Sequence, residues 1–268
     1  MDIDSLNFTL FMALGLRVGL LFCLIACLLG PFVGNWLPVG YDSDTDFSEV
    51  RALDDLAELS LKIGSRAGSQ RFVIEETRRF IVHSIEELVP LGGKMGWNIT
   101  IEKVTVEGAY RWKTQNYFYK NLHHLLVHVE PDGYDHSTCQ GSLLVNTHID
   151  SAVASPGAGD DGIAVVIAIE SIRSLTKAPP PPQASPIMFL FNNGEELGLL
   201  GTHGFVKQFP HLVRSCGAFI NLEAAGTYGP ESLFQVSPTA PWLIEQYAAS
   251  APYPRGSIVV RFLFLFRS

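Results

Sequence analysis

The chain has 268 residues, 47% of them hydrophobic, and a formal net charge of −8 at pH 7. That length accommodates one large α/β domain with an appendage and excludes two such domains. The acidic balance leaves no basic patch to neutralise phosphates, which excludes nucleic acid as a partner.

Leu6–Leu16 and Val18–Tyr41 carry no charged side chain, and Arg17 alone interrupts them. About 20 apolar residues suffice to cross a bilayer as a helix. Residues 8–38 are therefore expected to form one transmembrane segment within an N-terminal anchor, residues 1–41. A cleaved secretory signal would need a basic start, and this chain begins Met1-Asp2-Ile3-Asp4. Trp36 and Tyr41 suit the far interface. Arg17 favours a cytosolic N-terminus, which puts everything after residue 42 on the lumenal or outer side. There the sequon Asn98-Ile99-Thr100 is open to glycosylation. Cys23 and Cys27 fall in the apolar run, so only Cys139 and Cys216 remain beyond it, and no disulfide framework is implied.

A polar tether, Tyr41–Ser48, leads into two helical patterns. Val50, Leu53, Leu56, Ala57 and Leu61 form the apolar stripe of the first, which ends near Gly64. Ser69 is placed to cap the second, whose stripe is Val73, Thr77, Phe80, Ile81, Ile85 and Leu88 before Pro90, Gly92 and Gly93 stop it. Strands are then expected over 98–107, 122–130 and 142–146. Ile163–Leu175 is apolar on almost every side, as a helix packed on a sheet should be. After the proline run Pro179–Pro182, the continuous apolar segment Pro186–Asn192 reads as a buried strand. A helix over 197–208, strands over 218–222 and 232–236 and a helix over 242–249 complete the order. The expected fold is α/β, a mixed and mostly parallel sheet with helices on both faces.

In such sheets functional groups gather at the carboxyl ends of strands, and four clusters lie there. His148 follows the third strand with Asp150 two residues on; an imidazole ligand usually needs a carboxylate to fix its tautomer. Ser155–Gly162 is a small-residue loop ending in Asp160-Asp161, where close backbone approach to an ion is feasible and one Asp could bridge two metals. Asp160 and Asp161 also fit a plain helix cap. Glu195-Glu196 emerges from the most apolar strand, where unpaired carboxylates are costly and a metal would remove the cost. One Glu could bind the metal while its neighbour serves as general base. Asn221-Leu222-Glu223 ends the last strand of the group.

Taken as a set, His148-x-Asp150, Pro156-Gly157-Ala158-x-Asp160-Asp161, Glu195-Glu196, Asn221-x-Glu223 and Arg66-x-Gly68-Ser69 resemble the co-catalytic zinc aminopeptidase family over roughly residues 50–250. The apolar N-terminus, Phe205–Pro210 and Phe219–Gly226 are most similar to its branch in the endoplasmic reticulum membrane. The resemblance implies a lumenal exopeptidase, an aminopeptidase by family habit, acting on peptides with two zinc ions. It implies that Asp160 bridges the ions, that His148 and Glu223 complete one site and that Glu196 binds the other ion. Glu195 is then the general base, and Asp150 orients His148.

One departure stands out. The family supplies a further histidine some dozens of residues beyond the Glu223 position, and no histidine follows Glu223 here. The apolar tail 259–268 is also unlike the family's continuation, so the peptidase-like domain is taken as residues 42–258. The second zinc site is expected to be incomplete, the sheet edge open and the chain a truncated or alternatively spliced product. Three functional readings follow: a membrane-anchored zinc exopeptidase, an inactive form that binds or regulates the full-length enzyme, and a glutaminyl-cyclase-like transferase using one zinc, which needs the absent histidine equally.

Overall fold

The computed structural model describes residues 47–68, 70–112, 114–138, 141–224, 226, 231–237 and 240–256. The apolar segment 8–38, the cap at Ser69 and the tail 259–268 lie outside these residues. Among the described residues no helix is long and apolar enough to cross a membrane.

The chain divides into two compact units, one of residues 40–229 and one of 1–39 with 230–268. In the second unit, Tyr247 of the helix Trp242–Ser250 accepts the Arg255 N–H on its Oη at 2.9 Å. The strand expected over 232–236 is reduced there to one parallel bridge, Leu233 to Gly256.

The larger unit opens with α1 (Glu49–Ala57), capped by Ser48 Oγ, and a wide π-type turn, Glu58–Ile63, ending at Gly64. The buried face is not the expected stripe. Val50, Leu53 and Leu61 are 40%, 47% and 80% exposed, while Ala52 and Leu59 are buried and Leu56 packs on the core. A polar anchor sets this rotation. Glu170 is fully buried and takes hydrogen bonds from Ser48 N (2.8 Å), Arg51 Nη2 (2.6 Å) and Arg173.

Helix α2 (Arg71–Glu86) buries Thr77, Ile81 and Ile85 as expected, and also Ile74 and Arg78. Pro90 does not end the helical region. It sits in the first turn of α3 (Val89–Met95), where a missing N–H costs nothing. Gly92 lies within that helix, packed so close to the strand that follows that a Cβ would lie 2.8 Å from Ile99 Cδ1.

Five strands follow: β1 (Trp97–Trp112), β2 (Gln115–Pro131), β3 (Ser142–His148), β4 (Ile187–Asn192) and β5 (Cys216–Asn221). Their order is β1-β2-β4-β3-β5. β4, β3 and β5 run parallel, whereas β1–β2 and β2–β4 are antiparallel. The sheet is mixed, but the "mostly parallel" expectation is too strong: a tight hairpin joins β1 to β2 and forces them antiparallel. Side chains alternate between two cores. Leu125, Val127, Val145, Phe189 and Phe191 face α2 and α4 (Ile163–Leu175). Leu126, Leu144, Met188 and Leu190 face Phe205 of α5 (Leu200–Gln208) and residues of α6 (Pro210–Ser215). Helices thus cover both faces. β5 is an outer strand with Phe219 and Ile220 about half exposed.

The β1–β2 hairpin reaches beyond the sheet. β2 pairs with β4 only through Leu125–Val129, so its first half and the matching part of β1 project past the carboxyl end of β4. Tyr110 stacks on Tyr117 and on His203 of α5, and Tyr110 Oη donates to the Gly198 carbonyl. The arm thereby packs on the loop between β4 and α5.

Candidate metal centre

The parallel strands β4, β3 and β5 end side by side, and their carboxyl ends deliver the polar clusters to one place. His148, the last residue of β3, is 1% exposed. Its Nδ1 lies 3.0 Å from the Asp150 carbonyl oxygen and 3.6 Å from Asp150 Oδ1. Both are acceptors, so Nδ1 carries a proton and Nε2 is the nitrogen turned toward the centre, to be covered by a second proton or by a metal. Nε2 is buried and makes no hydrogen bond. Around it stand Asp160 Oδ1 at 3.1 Å, Glu223 Oε2 at 3.7 Å and Glu195 Oε2 at 3.9 Å.

The electrostatics follow from this crowding. Burial works against charge on His148, but the carboxylates of Asp150 and Glu223, with Asp161 behind them, outweigh it and hold the ring pKa at about 11. The cluster demands a positive charge at Nε2, and a proton or a divalent cation can supply it. Burial raises Glu195, and the nearby charges of Glu223, Asp150 and Glu196 add to the rise. Burial likewise raises Glu196, reinforced by Asp160, and Glu196 Oε1 is buried without a hydrogen bond. An orphaned imidazole nitrogen facing several carboxylate oxygens is a donor set that fits zinc.

Asp150 has a second connection. Its carboxylate accepts the main-chain N–H groups of Glu195 (3.2 Å) and Glu196 (3.1 Å), tying the β4 loop to the β3 loop. The imidazole bond runs to its carbonyl, and the carboxylate stands farther off.

Asp160 and Asp161 both approach the centre. Ligand-type atoms of His148, Asp161 and Glu223 lie within 4.8 Å of one another. Asp161, however, is fully buried, and its Oδ2 already accepts from Thr147 Oγ1 (2.7 Å) and His148 N (3.0 Å). Burial pushes its carboxyl to about 7 against the pull of His148. The partly exposed Asp160 carries no such commitments.

His203 does not join the cluster; its Nδ1 is 2.6 Å from Tyr119 Oη. Sequence reading gave no site role to Thr147 or His124. His124 is fully buried, and its Nδ1 accepts the Asn193 N–H at 3.0 Å, fixing the start of the Glu195-Glu196 loop from below. Burial pulls its pKa to about 3, so it stays neutral and able to accept. No sequence signal marks this, because a side-chain to main-chain hydrogen bond joins two residues 69 positions apart.

Comparison with known proteins establishes the family. The chain is 40% identical over 150 residues to endoplasmic reticulum metallopeptidase 1 of Mus musculus, covering 55% of this chain and 16% of that protein. It is 38% identical over 120 residues to the vacuolar membrane protease of Sclerotinia sclerotiorum, covering 45% of this chain and 11% of that protein. The chain thus spans under a fifth of either relative's length. Its fold is shared with a zinc aminopeptidase from Bacillus subtilis, at a TM-score of 0.57 and 14% identity over 80% of this chain and 81% of that one. Residues 127–266, which contain all of the clustered acids and His148, match the model of peptidase family M28, and the chain belongs to that family.

Proposed function

We propose that this chain is a zinc-dependent exopeptidase that removes single residues from the amino end of peptides. The observation that carries the reading is the buried, unbonded Nε2 of His148 facing Asp160, Glu195 and Glu223. His148, Asp160 and Glu223 would hold one zinc ion, and Asp160 with Glu196 would reach toward a second. Bound zinc supplies Lewis acidity toward the scissile carbonyl and lowers the pKa of nearby water. The chain's own groups do the rest. Glu195 takes a proton from the attacking water and returns it to the leaving amine. Asp150 keeps the His148 proton on Nδ1 and holds the Glu195 main chain in place.

The test is zinc content of the 268-residue chain. Three protein donors make a sufficient site and two do not, so about one zinc per chain is expected, lost in Asp160→Ala. A wild-type chain that takes up none from micromolar free zinc removes the reading. Close to two ions would mean that a further group completes the second site.

The same reading places the domain in the lumen of the endoplasmic reticulum, anchored by residues 8–38. The apolar N-terminal run, interrupted only by Arg17, and the name of the Mus musculus relative support it, and the name of the Sclerotinia sclerotiorum relative supports the membrane alone. Protease added to sealed microsomes should leave residues 42–268 intact and digest them once detergent is present. Digestion without detergent would overturn the orientation.

A further inference from the structure

Arg66 is fully buried, and its polar atoms are spent on main chain rather than on a carboxylate. Nε donates to the Ile149 carbonyl at 2.8 Å, and Nη2 to the Gly157 carbonyl at 2.7 Å. Nη1 faces the carbonyls of Pro156 (2.7 Å), Gly64 (3.2 Å) and Leu59 (3.3 Å). Its own N–H donates to Ser151 Oγ at 2.9 Å, and its carbonyl accepts from Ser151 N at 3.2 Å. Burying a cation is expensive unless each donor is satisfied and counter-charge is near. Here each guanidinium nitrogen is bonded to a carbonyl, and Asp150 and Asp161 supply the field.

The carbonyls it gathers belong to the two segments that make the centre. Ile149 lies between His148 and Asp150, and Pro156-Gly157 opens the turn that delivers Asp160. One planar guanidinium holds both segments, and His148 Nε2 ends 3.1 Å from Asp160 Oδ1. The glycines of this loop are explained by the same group. A Cβ on Gly157, which has φ +58, would lie 2.6 Å from Arg66 Nη2 and 2.5 Å from Ser151 Cβ. A Cβ on Gly162 would lie 2.6 Å from the Gly157 carbonyl and 3.4 Å from Arg66 Nη2. The small-residue loop, read from sequence as room for an ion, is room for this side chain.

We propose that Arg66 is the positioning residue of the metal centre: its fork clamps the β3 loop to the Gly157 turn and so sets how tightly His148 and Asp160 hold zinc together. The proposal rests on the zinc reading above. Lysine in its place keeps the charge but offers one nitrogen with three donors, which cannot span both loops in the plane of a fork.

The experiment is a competition titration of zinc against a chromophoric chelator on the full chain, wild type beside Arg66→Lys and Ser151→Ala. Ser151→Ala loosens the same loop without removing the guanidinium, and so reports what general softening does. Arg66→Lys is expected to weaken zinc binding about 10- to 100-fold, the range for groups that support metal ligands. It should lower kcat with KM little changed, and bind zinc more weakly than Ser151→Ala at matched thermal midpoint. Zinc affinity equal to wild type, or no weaker than Ser151→Ala, overturns the proposal. Should Arg66→Lys fail to fold, Gly157→Ala is read instead, its Cβ crowding Nη2, Ser151 and the Asp160 carbonyl together; zinc affinity equal to wild type there overturns the proposal, and affinity weakened beyond that of Ser151→Ala supports it. Wild type that binds no zinc would instead remove the functional reading and leave the clamp's geometry untouched.

Discussion

Glu195→Gln is expected to lower peptide hydrolysis by about 10²–10⁴-fold in kcat while zinc content stays at the wild-type level, the range for losing a general base. The substitution keeps shape and removes only the capacity to accept a proton. The main chain at residue 195 stays fixed, because its N–H is held by Asp150 Oδ1 at 3.2 Å. Burial, with Glu223, Asp150 and Glu196 nearby, lifts the Glu195 carboxyl above the usual range, which moves it toward the neutral pH at which a base must take up a proton. The thermal midpoint should hold or rise slightly, since one of several crowded negative charges is gone. Release of amino acids from a peptide with a free amino end is the measurement. Turnover within about tenfold of wild type would sink the assignment of Glu195 as base.

Glu170→Ala is expected to cost about 3 kcal/mol of stability, the low end for breaking a buried ion pair from one side. That corresponds to a fall of roughly 6–12 °C in thermal midpoint for a domain of this size. The carboxylate is wholly buried and receives Ser48 N, Arg51 and Arg173, so its loss removes the shared acceptor that joins α1 to α4, while Arg173 keeps its pair with Asp55 at 3.4 Å. Burial alone would raise its pKa, but the hydrogen bonds from Arg51, Ser48 and Arg173 win and hold it below the ordinary value of 4.5. A depressed folded pKa means that the unfolded chain binds the proton first. The stabilisation is therefore complete above pH 4.5 and fades as pH falls below it toward the folded value. Glu170→Ala should accordingly show a flatter loss of stability on acidification. By contrast, Glu58→Ala, which breaks the exposed pair with Lys62, should stay within about 1 kcal/mol of wild type. Thermal unfolding from pH 7 to 3.5 checks all three. A Glu170→Ala midpoint equal to wild type would mean that α1 is not anchored there.

Much of the molecule was legible without coordinates. Ile163–Leu175 matches its helix residue for residue, and the strands expected over 142–146, 186–192 and 218–222 are found, within two residues at each end, as Ser142–His148, Ile187–Asn192 and Cys216–Asn221. These are local properties: the period of burial along a helix or strand is written into neighbouring residues. The site clusters were legible for a related reason, since polar groups placed directly after apolar strands must emerge together at one end of a parallel sheet.

Other features were decided only by the tertiary structure. The stripe Val50, Leu53 and Leu61 faces outward because Glu170, 122 residues from Ser48, pins α1 in another rotation. The antiparallel arm of β1 and β2 came from pairing partners that alternation does not name. Asp161 is tied to Thr147 and His148 N, and Asp150 to the main chain of Glu195 and Glu196, although the motifs alone gave them other or no partners. Arg66 meets Gly157 across 91 positions. The sequence by itself determined which residues are apolar at which period and which acids follow each strand. The tertiary structure decided which buried polar group answers which, because such a bond depends on distance in space and leaves no trace in the spacing of residues along the chain.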